Sequence, residues 1–445
     1  MLTKAKKEQL VEDFEKWWEH KLERPIIQVT LFDEDYQPQK HRYNRGELLE
    51  MLYDLDKPVN EVVQAYQETF FSNIYLGDAF PIFYMRSTGV LGAYLGQTYH
   101  IDVKQGTIWF QEMKGCELED IHPRLEETYP LYQRSLELIK AFNQFYGDDI
   151  AMGIANLGGM MDIVESMRGA NNSLIDLYDD PDEVQRLNDD IYKAFEQAYE
   201  EMIASIDLNN TLGYTGWISL LSQKPYFISQ CDFCCMIGPE QFDEFVFETL
   251  KKEASLIERS FYHLDGPGAV RHLDKIIECG FKGIQWINGA GAKPLNDPCW
   301  NEIYQKVHDA GLLLQVNISG KEELEYIDYI VDYVSAKRDY SRNDIINIFT
   351  CVTQNFLTVF SGEPGTGKTS MCNIIGDILG LNQFGKDINR FVSVSVERGW
   401  SSKRDFIGYY NPLTKKYDKN NSKVFDALQT LDLERDNSQY PYLIT

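Results

Sequence analysis

From about residue 211 to residue 334, short apolar runs alternate with amphipathic stretches at a regular pace, and no other feature constrains the fold as tightly. Strands are predicted over 211–217, 227–231, 260–264, 283–287 and 312–318, with helices over 239–258, 268–278, 297–310 and 321–334. Strands joined through helices run parallel, because a parallel neighbour needs a long crossover, and the helices then cover the sheet. Upstream the alternation is looser. It gives a helix over 5–20, a strand over 25–30, helices over 46–53 and 59–71, and a strand over 79–84. A hairpin over 99–113 turns at Lys104-Gln105-Gly106, and a helix over 124–145 leads to a strand over 150–156. Gly158-Gly159 then opens a helical region that runs to about 205, broken near Asp179-Asp180-Pro181. Polar and glycine-rich turns follow the strands, so the expected class is α/β with a (β/α)8-type TIM barrel.

The chain has 445 residues, of which 43% are hydrophobic and 25% charged, enough to bury a sizeable core. No run of eighteen apolar residues occurs, and the charged start MLTKAKKEQL has no apolar signal region, so neither a membrane span nor export is expected. Eight scattered cysteines then suggest reduced thiols and a cytoplasmic location. Cys231, Cys234 and Cys235 offer half of a zinc site at most, since no second cysteine or histidine pair follows at finger spacing. The net charge of −26 is uneven: residues 1–340 carry −27 and residues 341–445 carry +1. So acidic a surface repels phosphates, which argues against nucleic-acid binding by the first part and against a membrane partner. The change near 340 marks two modules, 1–337 and 338–445.

The second module opens on an apolar run, Phe356-Leu357-Thr358-Val359-Phe360, followed by a glycine-rich loop and an amphipathic helix over about 368–380. Gly362, Gly365, Thr366, Gly367, Lys368, Thr369 and Ser370 fit the phosphate-binding loop. The glycines let backbone N–H groups turn toward phosphate oxygens, Lys368 would pair with the β- and γ-phosphates of ATP or GTP, and the Thr369 hydroxyl would ligate Mg²⁺.

In the first module several polar residues fall at strand ends, where barrel sites form: Asn156, Asp232, His263, Asp265, Gln285, Trp286, Asn288 and Asn317. His263 and Asp265 point to one side of an extended segment, so they can share a metal or a proton. With Asp232 they are the candidate catalytic residues, and Asn156, Gln285, Trp286 and Asn317 are the candidate substrate contacts. Each has a plainer reading. His263 can be a hydrogen-bonded strand-end histidine, Asp265 a turn former before Gly266-Pro267, and Trp286 and Trp217 packing residues. Asp78 can be a pocket acid or a helix cap. His272 and Asp274 point to different helix faces and read as structural.

Residues from about 10 to 336 resemble the uroporphyrinogen decarboxylase superfamily, which includes corrinoid-dependent methyltransferases. The resemblance rests on Glu23-Arg24-Pro25, Gly77-Asp78-Ala79-Phe80-Pro81, Gln230-Cys231-Asp232-Phe233, Tyr262-His263-Leu264-Asp265-Gly266 and Gly283-Ile284-Gln285-Trp286. It implies an enzyme acting on a small organic or methylated substrate, methyl transfer to a corrinoid protein, and a zinc held by His263 and Asp265. Porphyrinogen decarboxylation is disfavoured, because the acidic stretch Leu31-Phe32-Asp33-Glu34-Asp35-Tyr36 stands where those decarboxylases are arginine-rich. The methyltransferases hold zinc with His-x-Cys, and Asp265 here replaces the thiolate with a carboxylate. Residues 338–445 resemble the first part of McrB-type AAA+ nucleotide hydrolases, in the phosphate loop, in Phe391–Val396 running into Glu397-Arg398-Gly399-Trp400, and in Arg404–Leu413. That resemblance implies ATP or GTP with Mg²⁺. Hydrolysis is not expected, because the family's Mg²⁺-holding acids would follow Ile444.

By this reading the barrel lacks its last strand and the P-loop module is partial. The chain is then a natural fusion or an artificial join of two reading frames, and the alternative to an active barrel is a nucleotide-binding McrB-type fragment beside an inactive one.

Overall fold

The computed structural model describes residues 2–317 apart from 23, 34, 35, 39, 290, 294 and 296; beyond them it describes 337, 345, 348, 368–378, 391–392, 409–418, 422–434 and 443–444. Among the described residues up to 317 the strands are β1 (Gln28–Phe32), β2 (Asn73–Gly77), β3 (Ile82–Phe83), β4 (Tyr99–Asp102), β5 (Thr107–Phe110), β6 (Ala151–Gly153), β7 (Tyr214–Thr215), β8 (Tyr226–Gln230), β9 (Arg259–Asp265), β10 (Gly283–Ile287) and β11 (Leu313–Val316). The chain divides into two compact units, Met1–Ile318 and Ser319–Thr445.

The apolar runs of the alternating region become a four-stranded parallel sheet in the order β11-β10-β9-β8, and β3, β6 and β7 make a second parallel sheet. Every residue of β8 is buried, as are most of β9 and β10. Burial on both faces is why these strands read as continuous apolar runs. Helices expected over 239–258 and 268–278 are present but divided. Pro239–Phe245 and Phe247–Leu256 meet at Val246, and Gly266–Ala269 passes through a 3₁₀ turn into Leu273–Glu278. The region 160–204 holds three helices, and Pro181 starts the last, Pro181–Ala204, where its missing N–H costs nothing.

The segment expected as the barrel's first strand does something else. β1 pairs antiparallel with β2, which the sequence reading missed, and the two form a separate ribbon. Leu31 lies opposite Ile74 on it, and both side chains are exposed, so no alternation marked β2 as a strand. The hairpin of β4 and β5 forms as expected, with Gly106 at φ +63° in its turn.

Asp78 is neither a pocket acid nor a helix cap. Its carboxylate receives both terminal nitrogens of Arg24, at 2.7 and 2.8 Å, and the backbone N–H of Ile27 at 2.8 Å. Arg24 also reaches Asp13 at 2.8 Å, which ties the helix Lys4–Trp18 to the end of β2. A second tie joins that helix to β9, where the buried Arg259 grips Glu15 with two nitrogens.

In the second unit a helix spans Lys368–Ile378, β12 (Phe391–Val392) pairs in parallel with β15 (Leu443–Ile444), β13 (Tyr409–Asn411) and β14 (Lys416–Asp418) form a hairpin, and a helix spans Ser422–Glu434. The helix expected over 321–334 and the strand over 356–360 lie outside the described residues, as does the boundary placed at 337–338, of which only 337 is described. Among the described residues no helix is long and apolar enough to cross a membrane.

Candidate functional site

Register organises the site. Gln230 of β8, His263 of β9, Gln285 of β10 and Gln315 of β11 are consecutive partners across the four parallel strands. Partners in register present their side chains on one face, so a histidine and three amides form one row across the sheet. The adjacent register row, Leu264, Trp286 and Val316, points the other way. Trp286 is fully buried there, its ring centroid 5.2 Å from that of Trp300. Of the candidate substrate contacts, Trp286 is therefore not brought to the face that carries His263.

One residue beyond the row, the chain leaves β8 into a 3₁₀ turn, Asp232–Met236. The turn is fastened on two sides. Asp162, on the helix Met160–Arg168, accepts the Phe233 N–H at 2.8 Å, and its other oxygen accepts from Gln230 Nε2 at 3.4 Å. His272 Nε2 is 3.0 Å from the Cys234 carbonyl and its ring stacks on Phe242, so it is structural, as expected. Asp232 at the start of the turn comes together with His263 and Asp265. One ligand atom from each, a carboxylate oxygen, an imidazole nitrogen and a carboxylate oxygen, lies within 4.8 Å of the others.

His263 is clamped. Its Nδ1 lies 2.6 Å from Gln285 Oε1, and the Trp217 ring meets it edge-on, with centroids 4.6 Å apart at 79°. Burial lowers the pKa of the imidazole, against the pull of Gln285, Asp265 and Asp162, so the neutral ring is favoured. Asp232 is open to solvent on one side. The protein around the rest of it, and then the carboxylates of Asp162 and Asp265 and the Cys235 thiol, push its pKa well above the usual carboxylate range. Burial raises Asp162 as well, opposed by its hydrogen bonds from Phe233, Asp232 and Gln230. Acids crowded in this way hold a proton or welcome a cation.

The remaining candidates frame this cluster. Asn156, after β6, reaches Ser87 O at 3.3 Å and Gln230 Oε1 at 3.4 Å through Nδ2, and its Oδ1 accepts from Gly158 at 3.2 Å. It braces the neighbouring loop and the amide row. Asn317 is exposed just beyond β11 and accepts from Gln315 Nε2 at 2.9 Å. Gln285 lies on His263 rather than open to a ligand. Sequence reasoning missed Asp162, whose only signal was an acid in the first turn of a helix after Gly158-Gly159, and it missed the three-glutamine row, visible only once register is known. Of the phosphate-loop residues, Lys368, Thr369 and Ser370 begin a helix as expected, while Gly362, Gly365, Thr366 and Gly367 lie outside the described residues.

No family model and no curated protein matches the chain. Among solved structures it is similar to a methyltransferase from Methanosarcina mazei, at 13% identity and a TM-score of 0.44, over 69% of this chain and 92% of that one.

Proposed function

We propose that residues 1–337 form a (β/α) barrel enzyme of the uroporphyrinogen decarboxylase superfamily. It transfers a methyl group from a small methylated substrate toward a corrinoid carried on a partner protein, using a divalent metal held by Asp232, His263 and Asp265. The observation that carries the reading is the convergence of those three ligand atoms at the ends of neighbouring parallel strands, where barrel sites form. The donor set fits zinc: one imidazole and two carboxylates are three protein ligands, the number a catalytic zinc uses when one position is left for substrate. Bound there, zinc would act as a Lewis acid on the substrate's heteroatom. The chain's own residues do the rest. Gln285 and Trp217 fix the imidazole, Asp162 holds the turn that carries Asp232, and Asn317 stands at the rim, open to the substrate's polar end.

The test is methyl transfer to free cob(I)alamin, followed by absorbance, together with zinc content of the purified chain. Loss of both in a folded His263→Ala variant supports the assignment; transfer that survives the substitution overturns it.

For residues 338–445 a second reading has its own observation. A helix begins at Lys368 and β12 pairs in parallel with β15, which supports the phosphate-loop reading. This segment then binds ATP or GTP with Mg²⁺, through Lys368 on the phosphates and Thr369 on the metal. Binding of a fluorescent nucleotide that Lys368→Ala abolishes supports it, and binding unaffected by that change refutes it. Nucleotide binding without methyl transfer would favour the alternative, a McrB-type fragment beside an inactive barrel.

A further inference from the structure

Gln285 is the amide of the row that hydrogen-bonds to the histidine. It is 1% exposed, its Oε1 lies 2.6 Å from His263 Nδ1, and among the described residues its buried Nε2 has no partner. On the next strand Gln315 is the complement. Its Nε2 is engaged by Val316 O at 3.2 Å and Asn317 Oδ1 at 2.9 Å, and its buried Oε1 has no donor.

These facts favour one orientation of the Gln285 amide. With Oε1 toward the imidazole, the row leaves a donor, Gln285 Nε2, and an acceptor, Gln315 Oε1, on register partners of adjacent strands. Turned over, the amide would set two buried carbonyl oxygens, Gln285 Oε1 and Gln315 Oε1, at register partners on adjacent strands, an electrostatically poorer pairing than a donor beside an acceptor. An amide oxygen only accepts, so His263 Nδ1 must carry the proton. Trp217, edge-on to the ring, opposes rotation out of this arrangement.

We infer that Gln285 is a positioning residue: it holds His263 as the Nδ1–H tautomer and so leaves Nε2 as the nitrogen with a free lone pair for a metal. The inference rests on the metal reading given above. It assigns to Gln285 the orienting task that a carboxylate or backbone carbonyl performs behind many metal-bound histidines. An amide does this without adding charge, at a place already crowded with Asp162, Asp232 and Asp265.

The experiment has two arms, both on the full chain. In the first, long-range ¹H–¹⁵N correlation spectra of the metal-free protein report the His263 tautomer. The expected result is Nδ1–H in the wild type and in Gln285→Glu, which keeps an acceptor oxygen, and loss of that single tautomer in Gln285→Met, which keeps the length but not the acceptor. In the second, Co²⁺ is titrated against a chelator. Gln285→Met is expected to bind roughly 10- to 100-fold more weakly than wild type, with Gln285→Glu restored to within a few-fold. Matching amide spectra establish that each variant is folded; should Gln285→Met not fold, Gln285→Leu takes its place, and the wild-type tautomer decides by itself. An Nε2–H tautomer in the wild type, or undiminished Co²⁺ binding by folded Gln285→Met, overturns the inference. A wild-type protein that binds no Co²⁺ and no Zn²⁺ overturns the metal reading instead, and the spectra still show separately whether Gln285 sets the tautomer.

Discussion

Asp162 Oδ1 accepts the backbone N–H of Phe233 at 2.8 Å, so a helix that follows β6 holds the turn that follows β8. The turn's first residue is Asp232, one of the three clustered ligands. Asp162→Ala removes this cap and is expected to cost about 1–2 kcal/mol of stability. It should also weaken Co²⁺ binding by roughly 10-fold or more, since it frees a supporting contact. Asp162→Asn keeps an acceptor and should stay close to wild type in stability. Urea unfolding and chelator competition check the two effects separately, and equal Co²⁺ affinity in Asp162→Ala would refute the link.

Gly159 has no room for a side chain. A Cβ there would stand 2.2 Å from the Gln230 carbonyl oxygen and 2.6 Å from Asp162 Oδ2. The first of these is backbone of a fully buried strand and cannot yield cheaply. Gly159→Ala is expected to destabilise by about 1–3 kcal/mol and to disturb the Asp162 contact. The urea midpoint measures this, and an unchanged midpoint would contradict the packing described.

Glu253 makes stability depend on pH. It is buried on the helix Phe247–Leu256, and burial pushes its pKa from 4.5 up to about 8. Between those values the folded protein keeps the proton and the unfolded chain loses it. Stability therefore falls as pH rises through this window, by about 1.4 kcal/mol per unit from this group. Glu253→Gln keeps the shape and cannot ionise, so it should flatten this part of the profile and be more stable than wild type near pH 8. Urea midpoints at pH 5, 6.5 and 8 give the slope; parallel profiles for the two proteins would rule the account out.

Arg24 neutralises two acids at once. Asp78 and Asp13 are 3% and 6% exposed, and Arg24→Ala would leave both buried without a counter-charge. The expected cost is about 3 kcal/mol or more. Arg24→Lys keeps the charge but loses the two-nitrogen grip on Asp78, and should fall between. Thermal unfolding of the pair against wild type tests the order.

The sequence displayed the parallel sheet and the nearness of His263 to Asp265, because strands buried on both faces leave unbroken apolar runs and side chains two apart on a strand share a face. It displayed Asp232 as a strand-end candidate, but the meeting of all three required strand order and register. Gln285 was visible as polar in an apolar run, but whether it faced substrate or His263 depended on β9 lying beside it. Trp286, one residue on, belongs to the packed face, and only the phase of β10 shows that. β2 was hidden for the opposite reason: a two-stranded ribbon with exposed apolar residues carries no clean alternation.

The row across β8 to β11 changes how variants of this protein ought to be grouped. Gln230, His263, Gln285 and Gln315 are far apart along the chain, yet they are rungs of one ladder. A substitution at one changes the surroundings of the next rung as well as those of its neighbours in sequence. Mutational libraries built by randomising contiguous stretches would therefore break several rungs' surroundings while never exchanging a whole rung set; libraries that vary the four positions together would explore the alternatives this architecture permits.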